Sequence, residues 1–435
     1  LKAARANSKM TADETDEAEL DLGAAGSQLE ITKKDLWRGT VEPATPAESW
    51  FVSATAAYWR ILEGLDDENQ EAASDELASE LAALEARYLY TVSREQDLPA
   101  VKAHRAYDRY GPYLLPRIKG TFALHQLRLL LGNDVFFDVM AMVHNRYRGA
   151  EMTTQEFVSV ADEVSGRELG SFVGQWLERS GLPRVRPTAS VRKGRGGGWD
   201  LSVGVEQSGA LYRFVTHLEV EAGGDRSLHR IEVVGKRGIL LHFDERPTRV
   251  VFDALHDLPV EHGNFYEWRN LIDDFHDTVI VYGTARQIEA NHTMARRWQE
   301  KVADTYIEIL PPLIKDSEAA EDKVANQDLM VMGTLRDNYF FGHMPENIPV
   351  RFGRNHFEWM GKTYGEPDDG LFLVVPNPWN PERVMYVLAA NSGMELYDMT
   401  ETYHRDIPQW ARFKGGEIVE KGYYDRPGFV IDLGD

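Results

Sequence analysis

The chain has 435 residues, with 70 acidic against 48 basic side chains, a formal charge of −22, and no cysteine. Disulfides, thiol catalysis and thiolate metal sites are therefore excluded, and a field of that sign repels phosphate backbones and disfavours nucleic-acid partners. No apolar run approaches the roughly 18 residues of a membrane helix, so no transmembrane segment is expected, and the length predicts about two to four domains.

Residues 1–28 hold Asp13, Glu14, Asp16, Glu17, Glu19 and Asp21 with few large apolar side chains. They predict an acidic lead-in that stays mobile unless a partner orders it. Residues 29–186 predict a helical domain. Ala56, Trp59, Ile61 and Leu62 start one amphipathic run, and Leu77, Leu81, Leu84, Tyr88 and Leu89 make a second. Leu124, Leu127, Leu130 and Leu131 make a third, closed by Gly132-Asn133 as a C-cap. Thr153, three residues ahead of Glu156, predicts a capping box before Phe157.

Within this region, residues 34–43 read K-D-L-W-R-G-T-V-E-P, and eighteen residues separate Lys34 from Ser53 in S-W-F-V-S-A-T-A-A-Y-W. Residues 117–183 continue with R-I-K-G-T-F-A-L-H-Q-L, T-T-Q-E-F and F-V-G-Q-W-L-E-R-S-G-L-P. Together these resemble the C-terminal half of the catalytic domain of the gluzincin zinc aminopeptidases, the alanyl aminopeptidase and leukotriene-A hydrolase family. Trp37, Val41, Pro43, Trp50, Ala56 and Tyr58 fall where that family has the same residues. The resemblance implies the helical half of a thermolysin-like aminopeptidase domain. It places Glu30, Lys34 and Ser53 at the metal-ligand positions, Ile31 at the general base and Arg117 at the oxyanion donor. Zinc needs deprotonated donors converging at about 2.0–2.3 Å, which an ammonium and an isoleucine cannot supply. The expectation is a degenerate site with no metal or other cofactor, in which Lys34 pairs with Glu30 or Glu48. No H-E-x-x-H occurs anywhere in the chain.

After residue 187 the period shortens. Runs at 190–192, 199–206, 211–219, 230–234, 238–243 and 249–253, broken by glycines, predict a small β-sandwich over 187–265. From 266 to the C-terminus, strands at 278–282, 328–332, 370–375 and 383–389 alternate with helical stretches, which predicts an α/β domain with a mostly parallel sheet. Its V-Y-G-T, N-x-x-x-A-x-x-W and P-N-P-W-N-P-E-R stretches resemble the C-terminal α/β domain of some bacterial secreted esterases and prolyl-oligopeptidase-like proteins. That resemblance implies fold and context only.

Gly283-Thr284 and Gly333-Thr334 close two strands at the edge where open parallel sheets bind ligands. With Asn338 they form a candidate ligand loop. The simpler reading is that glycine only makes the strand-to-helix turn. The prolines and asparagines of 376–381 either shape a pocket or secure a turn. No nucleotide loop and no G-x-S-x-G elbow is present, and none of the thirteen histidines pairs at H-x-x-x-H.

The fold class expected is multidomain α+β. Function falls into three readings: a catalytically inactive aminopeptidase-like scaffold or assembly subunit, a fragment of an active metallopeptidase whose catalytic half lies upstream or in another chain, or a ligand-binding or hydrolase activity in the α/β domain. The first predicts a partner protein, or the upstream half of the same precursor, on an aromatic face. The candidates are Trp50, Phe51, Tyr58, Trp59, Tyr107, Tyr110 and Tyr113. The chain begins at Leu1 rather than Met, which fits removal of a signal peptide, a cleaved precursor or a partial product equally well; location is left open, with a lean towards outside the cytoplasm, periplasmic or secreted.

Overall fold

In the computed structural model the described residues are 41–64, 70–94, 96–103, 110–235, 238–263, 265–273, 275–306, 310–344, 348–401 and 407–434. The chain forms two compact units, one of Leu1–Gly263 with Asp425–Asp435 and one of Asn264–Tyr424. Among the described residues no helix is long and apolar enough to cross a membrane.

The first unit opens on β1 (Glu42–Pro43) and a short 3-10 turn, Pro46–Glu48, where Thr45 and Glu48 form a capping box. The helices are α1 (Ser49–Gly64), α2 (Gln70–Arg94), α3 (Tyr110–Leu131) and α4 (Asn133–Tyr147). After β2 (Glu151–Met152), parallel to β1, come α5 (Thr154–Ser165) and α6 (Gly170–Leu177). Gly132 ends α3 at φ 85, and its amide bonds the Arg128 carbonyl. Thr153 caps α5 in the expected reciprocal box with Glu156. Trp50 is 0% exposed and meets Phe157 edge-on, while Phe51, Tyr58 and Trp59 are also buried. These four therefore form core of their own unit, which corrects their reading as a partner face: apolar faces that the sequence leaves without a cover are covered by α3, α5 and one another. Tyr107 lies outside the described residues, and the side chains of Tyr110 and Tyr113 are outside them too.

The sandwich follows directly: β3 (Arg184–Lys193), β4 (Trp199–Ser208), β5 (Phe214–Ala222), β6 (Asp225–Val233), β7 (Ile239–Phe243) and β8 (Pro247–Phe252). Leu201, Val203 and Val205 alternate into the core from β4, as a half-buried strand requires. Gln126 of α3 docks the helices onto β5. Its amide accepts from Val215 N at 2.9 Å and donates to Val215 O at 2.9 Å, as a neighbouring strand would. Helices and sandwich are in this way one packed body.

The second unit contains α7 (Trp268–Asp273), β9 (Thr278–Tyr282), α8 (Ile288–Tyr306), β10 (Leu313–Lys315), α9 (Glu321–Val324) and β11 (Asp328–Thr334). A 3-10 turn, Tyr339–His343, leads to the meander β12 (Val350–Phe352), β13 (Phe357–Trp359) and β14 (Lys362–Tyr364). Then come β15 (Asp369–Asn377), β16 (Asn380–Ala390), α10 (Gly393–Glu401), β17 (Trp410–Lys414) and β18 (Glu417–Gly422). The seven-stranded sheet has the order β10-β9-β11-β16-β15-β17-β18. Pairings from β10 to β16 are parallel and those from β16 to β18 antiparallel, so the sheet is mixed rather than mostly parallel. The cause is local. Residues 376–381, read as a loop, are a hairpin turn in which Asn377 pairs with Asn380, and a hairpin forces its two strands antiparallel. The Asn377 side chain donates to the Val324 and Gln327 carbonyls and accepts from Trp379 N, which fixes the turn.

Both sheet faces are covered. Val281, Leu329, Val331, Met385 and Val387 pack with Phe340, Phe341, Phe357 and Trp359 on one side. On the other, α8 lies on β9 and β11, and α10 lies on β16, β11 and β15. A last strand, β19 (Val430–Asp432), belongs to the first unit and pairs antiparallel with β8. The C-terminal residues expected in the α/β domain thus complete the sandwich.

Candidate functional site

Of the positions that the resemblance marks for zinc chemistry, Glu30, Ile31 and Lys34 lie outside the described residues, as does Trp37. Ser53 sits on α1 and Arg117 on α3. These two helices cross at Gly120, where an added Cβ would stand 2.7 Å from Ala54 Cβ and 3.0 Å from Trp50 Cε3. Ser53 Oγ is turned back on its own helix, bonding the carbonyls of Ser49 at 3.0 Å and Trp50 at 3.1 Å. A neutral hydroxyl committed to the backbone does not fit a zinc ion. Among the described residues no three His, Asp or Glu side chains converge as a metal would require. Glu48, one of the two partners expected for Lys34, closes the cap with Thr45, its carboxylate accepting from Thr45 N at 3.1 Å; the expected pairing itself lies outside the described residues.

The neighbouring polar residues hold structure. Lys119 is buried and donates to the carbonyls of Leu98 (3.2 Å) and Arg179 (2.9 Å), with Asp97 3.2 Å away. Burial pulls its pKa down against the opposing pull of Asp97. Tyr58 O–H donates to His125 Nδ1 at 2.9 Å, and His125 Nε2 donates to Asp257 Oδ1 at 2.9 Å. His217 Nδ1 donates to the other oxygen of Asp257 at 2.7 Å. Burial lowers the His125 pKa, which keeps the ring neutral and assigns this tautomer. For Asp257, burial pushes upward, but the hydrogen bonds from His125 and His217 outweigh it and hold the carboxyl well below its usual range. The composition is that of an acid–base relay, yet Tyr58, His125 and Asp257 are all closed to solvent. What it does is join α1, α3 and the sandwich.

A second buried cluster lies beside it. Arg426 donates to Asp253 Oδ2 at 2.6 Å and to the Leu258 carbonyl at 3.0 Å, with Glu85 Oε1 3.5 Å away. Glu85 also accepts from Val260 N at 2.6 Å and faces His262 at 3.3 Å and His256 at 3.7 Å. Asp253 and His256 both hold positive φ, at 55° and 52°, which costs a non-glycine residue energy that the surrounding network offsets. Burial drives Glu85 up, but the charge of Arg426 and the histidine hydrogen bonds bring it well below the carboxylate range. Burial, with the charge of Asp257, lifts Asp253 to about 7 against the pull of Arg426.

In the second unit the candidate loop residues do come together. The Asn338 side chain donates to the carbonyls of Val281 (3.1 Å) and Met332 (2.9 Å), bridging the ends of β9 and β11. Gly283 lies so close to Asp337 that a Cβ there would stand 2.4 Å from its carbonyl oxygen. The Thr284 hydroxyl donates to Asp316, and that of Thr334 to Asp337 Oδ2 at 2.6 Å. Gly283 N bonds Met332 O and Ala285 N bonds Asp337 O, so these amides make no cradle for an anion. Asp316 and Asp337 belong to the same cluster and were not singled out from sequence, and Asn291 entered only as the first residue of the N-x-x-x-A-x-x-W stretch. Aspartates just past apolar strands were the available signal.

No model of a known protein family matches the chain, and no curated protein matches it. Among solved structures it is similar to aminopeptidase A of Legionella pneumophila in complex with aspartic acid. The identity is 14% and the TM-score 0.36, over 64% of this chain and 31% of that one. It is also similar to an M1 zinc metallopeptidase from Deinococcus radiodurans bound to a Tyr-Ser-Ala substrate. There the identity is 22% and the TM-score 0.27, over 34% of this chain and 31% of that one. The chain therefore spans about a third of the length of these two neighbours.

Proposed function

We propose that the protein is a non-catalytic, aminopeptidase-like scaffold that binds another polypeptide through its first unit. The observation that carries this reading is Ser53. At the position where the resemblance requires a carboxylate as the third metal ligand stands a hydroxyl spent on its own helix, while the packing residues beside it, Gly120, Lys119 and Tyr58, are all engaged. The change is confined to the chemistry, and the frame is kept. A surface for the partner is offered by the sandwich rather than by the buried aromatics. The outer strands β6 and β7 and the segments beside them expose Leu228, Val234, Leu240 and Leu211, and edge strands with exposed apolar side chains invite pairing.

The test is direct. The purified full chain, incubated with zinc and desalted, should retain no stoichiometric metal and should not hydrolyse aminoacyl amides in a chelator-sensitive manner. Stoichiometric zinc with such hydrolysis would sink the reading. Leu228→Glu with Leu240→Glu should abolish co-purification of the partner while leaving the melting temperature within a few degrees.

A further inference from the structure

The three-stranded sheet of the sandwich runs β3-β4-β7, so β3 is a ten-residue edge strand paired with β4 alone. Two observations fix which of its backbone groups face outward. Pro187 stands opposite Val205 and has no N–H to give β4. The Pro183 carbonyl, four residues earlier and so on the same side, accepts from Glu261 N at 3.4 Å, away from β4. Alternation along the strand then turns Val185, Ala189 and Val191 outward as well. Each has an amide and a carbonyl that bond no other strand among the described residues. Pro187 offers its carbonyl only, and this outward side is where a proline costs an edge strand least.

The start of this edge opens on a groove. About 590 Å³ lies between Arg184, Val185 and Arg186, the end of β4 and residues 261–263, a volume within the range of ligand-binding clefts. The segment at Glu261 makes a single ladder bond, at Pro183, and among the described residues nothing continues the ladder beside Val185. The groove therefore leads directly onto open backbone.

The side chains select what fits. Arg184, Arg186, Thr188, Ser190 and Arg192 alternate on the exposed face of β3, and the strand carries no acidic residue. Cross-strand neighbours of opposite charge stabilise a pairing and like charges oppose it. A second copy of β3 is therefore turned away, as is any basic strand. Charge on an edge serves to keep strands off, but charge of one sign, in a chain of −22, still admits an acidic one. Arg186 makes no ion pair among the described residues, although Glu206 is its register partner on β4. Arg184 donates to Glu261 at 2.6 and 3.1 Å, but these side chains are 63% and 48% exposed. A pair so exposed is worth at most about 1 kcal/mol, and a guanidinium has donors enough for a second carboxylate. Arg192 is 72% exposed and 3.6 Å from Asp200.

We propose that β3 is a docking edge for an extended acidic segment of another protein. The segment adds as a strand along residues 185–191, the main-chain bonds giving affinity and the alternate side chains giving specificity. Every second residue carries a carboxylate over Arg184, Arg186 and Arg192, and small apolar side chains between them lie on the half-buried side with Val185, Ala189 and Val191. This edge is the opposite one from β7 in the same sheet, so the site is additional to the leucine surface on β6 and β7.

Fluorescence polarisation of the full chain with a labelled peptide of alternating glutamate and valine tests this. The comparison peptides carry lysine in place of glutamate, or keep the glutamates with every amide N-methylated, which preserves charge and removes the donors. The glutamate peptide should bind saturably, and both comparisons at least about tenfold more weakly. Arg186→Glu, on the exposed face, should weaken binding at least about tenfold with the melting temperature unchanged. Ala189→Pro removes one outward amide and no bond to β4, and should weaken it several-fold. Leu228→Glu with Leu240→Glu should leave it unchanged. Equal binding of the lysine peptide, full binding of the N-methylated one, indifference to Arg186→Glu, loss of binding in the leucine variant, or no binding at millimolar concentration would each overturn the proposal. None of these readouts involves zinc, hydrolysis or a co-purifying partner, so this inference and the scaffold reading fail separately.

Discussion

Gly120 shows how much one absent side chain decides. Its hydrogen lies where α1 and α3 touch, and a methyl group there would meet the Cβ of Ala54, which has no rotamer to escape by. Gly120→Ala gains helix propensity worth about 1 kcal/mol but must push the helices apart, an overpacking cost of about 1–3 kcal/mol. The expected outcome is net destabilisation, read as a lower melting temperature with fewer protected amides in α1. An unchanged or raised melting temperature would show that the crossing has slack. The glycine could be read as part of a resembling motif, but its purpose could not, because steric contact between helices seventy residues apart leaves no local pattern. His125 and Gln126 did leave a trace, two polar side chains inside a leucine-rich run. Their partners, Asp257 and the backbone of Val215, come from a different element and carry no signal of their own.

The buried clusters joining helices to sandwich predict the pH response of the first unit. His125 and His256 have pKa values lowered by burial, so below about 6.5 the unfolded chain takes up two protons that the folded state refuses. Asp253, raised to about 7, works oppositely and holds one proton that the unfolded chain releases above its ordinary value. The difference, two less one, is a single net proton, so stability should fall by about 1.4 kcal/mol per pH unit as the pH drops below about 6. Near pH 4.5 the unfolded forms of Glu85 and Asp257, both depressed in the fold, also take up protons, and the fall should steepen. Melting temperatures measured from pH 8 to 3 check the sign and the break. A profile that rises on acidification would reverse the assignment. At this scale the helix caps at Gly132 and Thr153 and the short sandwich strands were legible from spacing and glycine placement. The antiparallel half of the second sheet was not, since a proline-rich hairpin turn and a proline-rich loop have the same composition.

For the whole molecule, the second unit is an insertion. The chain leaves the first unit after Gly263 and returns at Asp425, and the side chains flanking the gap, His262 and Arg426, both face Glu85. Replacing residues 264–424 with a short glycine-serine linker should therefore leave a first unit that unfolds cooperatively, with a melting temperature within several degrees of its transition in the full chain. Loss of a cooperative transition would show that the first unit depends on the second. Neither the insertion nor the return of β19 was readable in advance, because three hydrophobic residues at the end of a chain look the same whether they close a distant sheet or trail free.

That return has a consequence for how the protein is made. A ribosome releases residues in order, and the only arginine reaching both Glu85 and Asp253 among the described residues is Arg426, which emerges after the whole inserted unit. The inserted unit can fold while the first waits with two carboxylates unmatched. The first unit is finished only once residues 425–434 have followed the inserted unit, when Arg426 and β19 seal it. Nascent chains halted before Arg426 would carry this defect, and a quality-control protease would meet them as open substrates, while chains that include Arg426 and β19 resist.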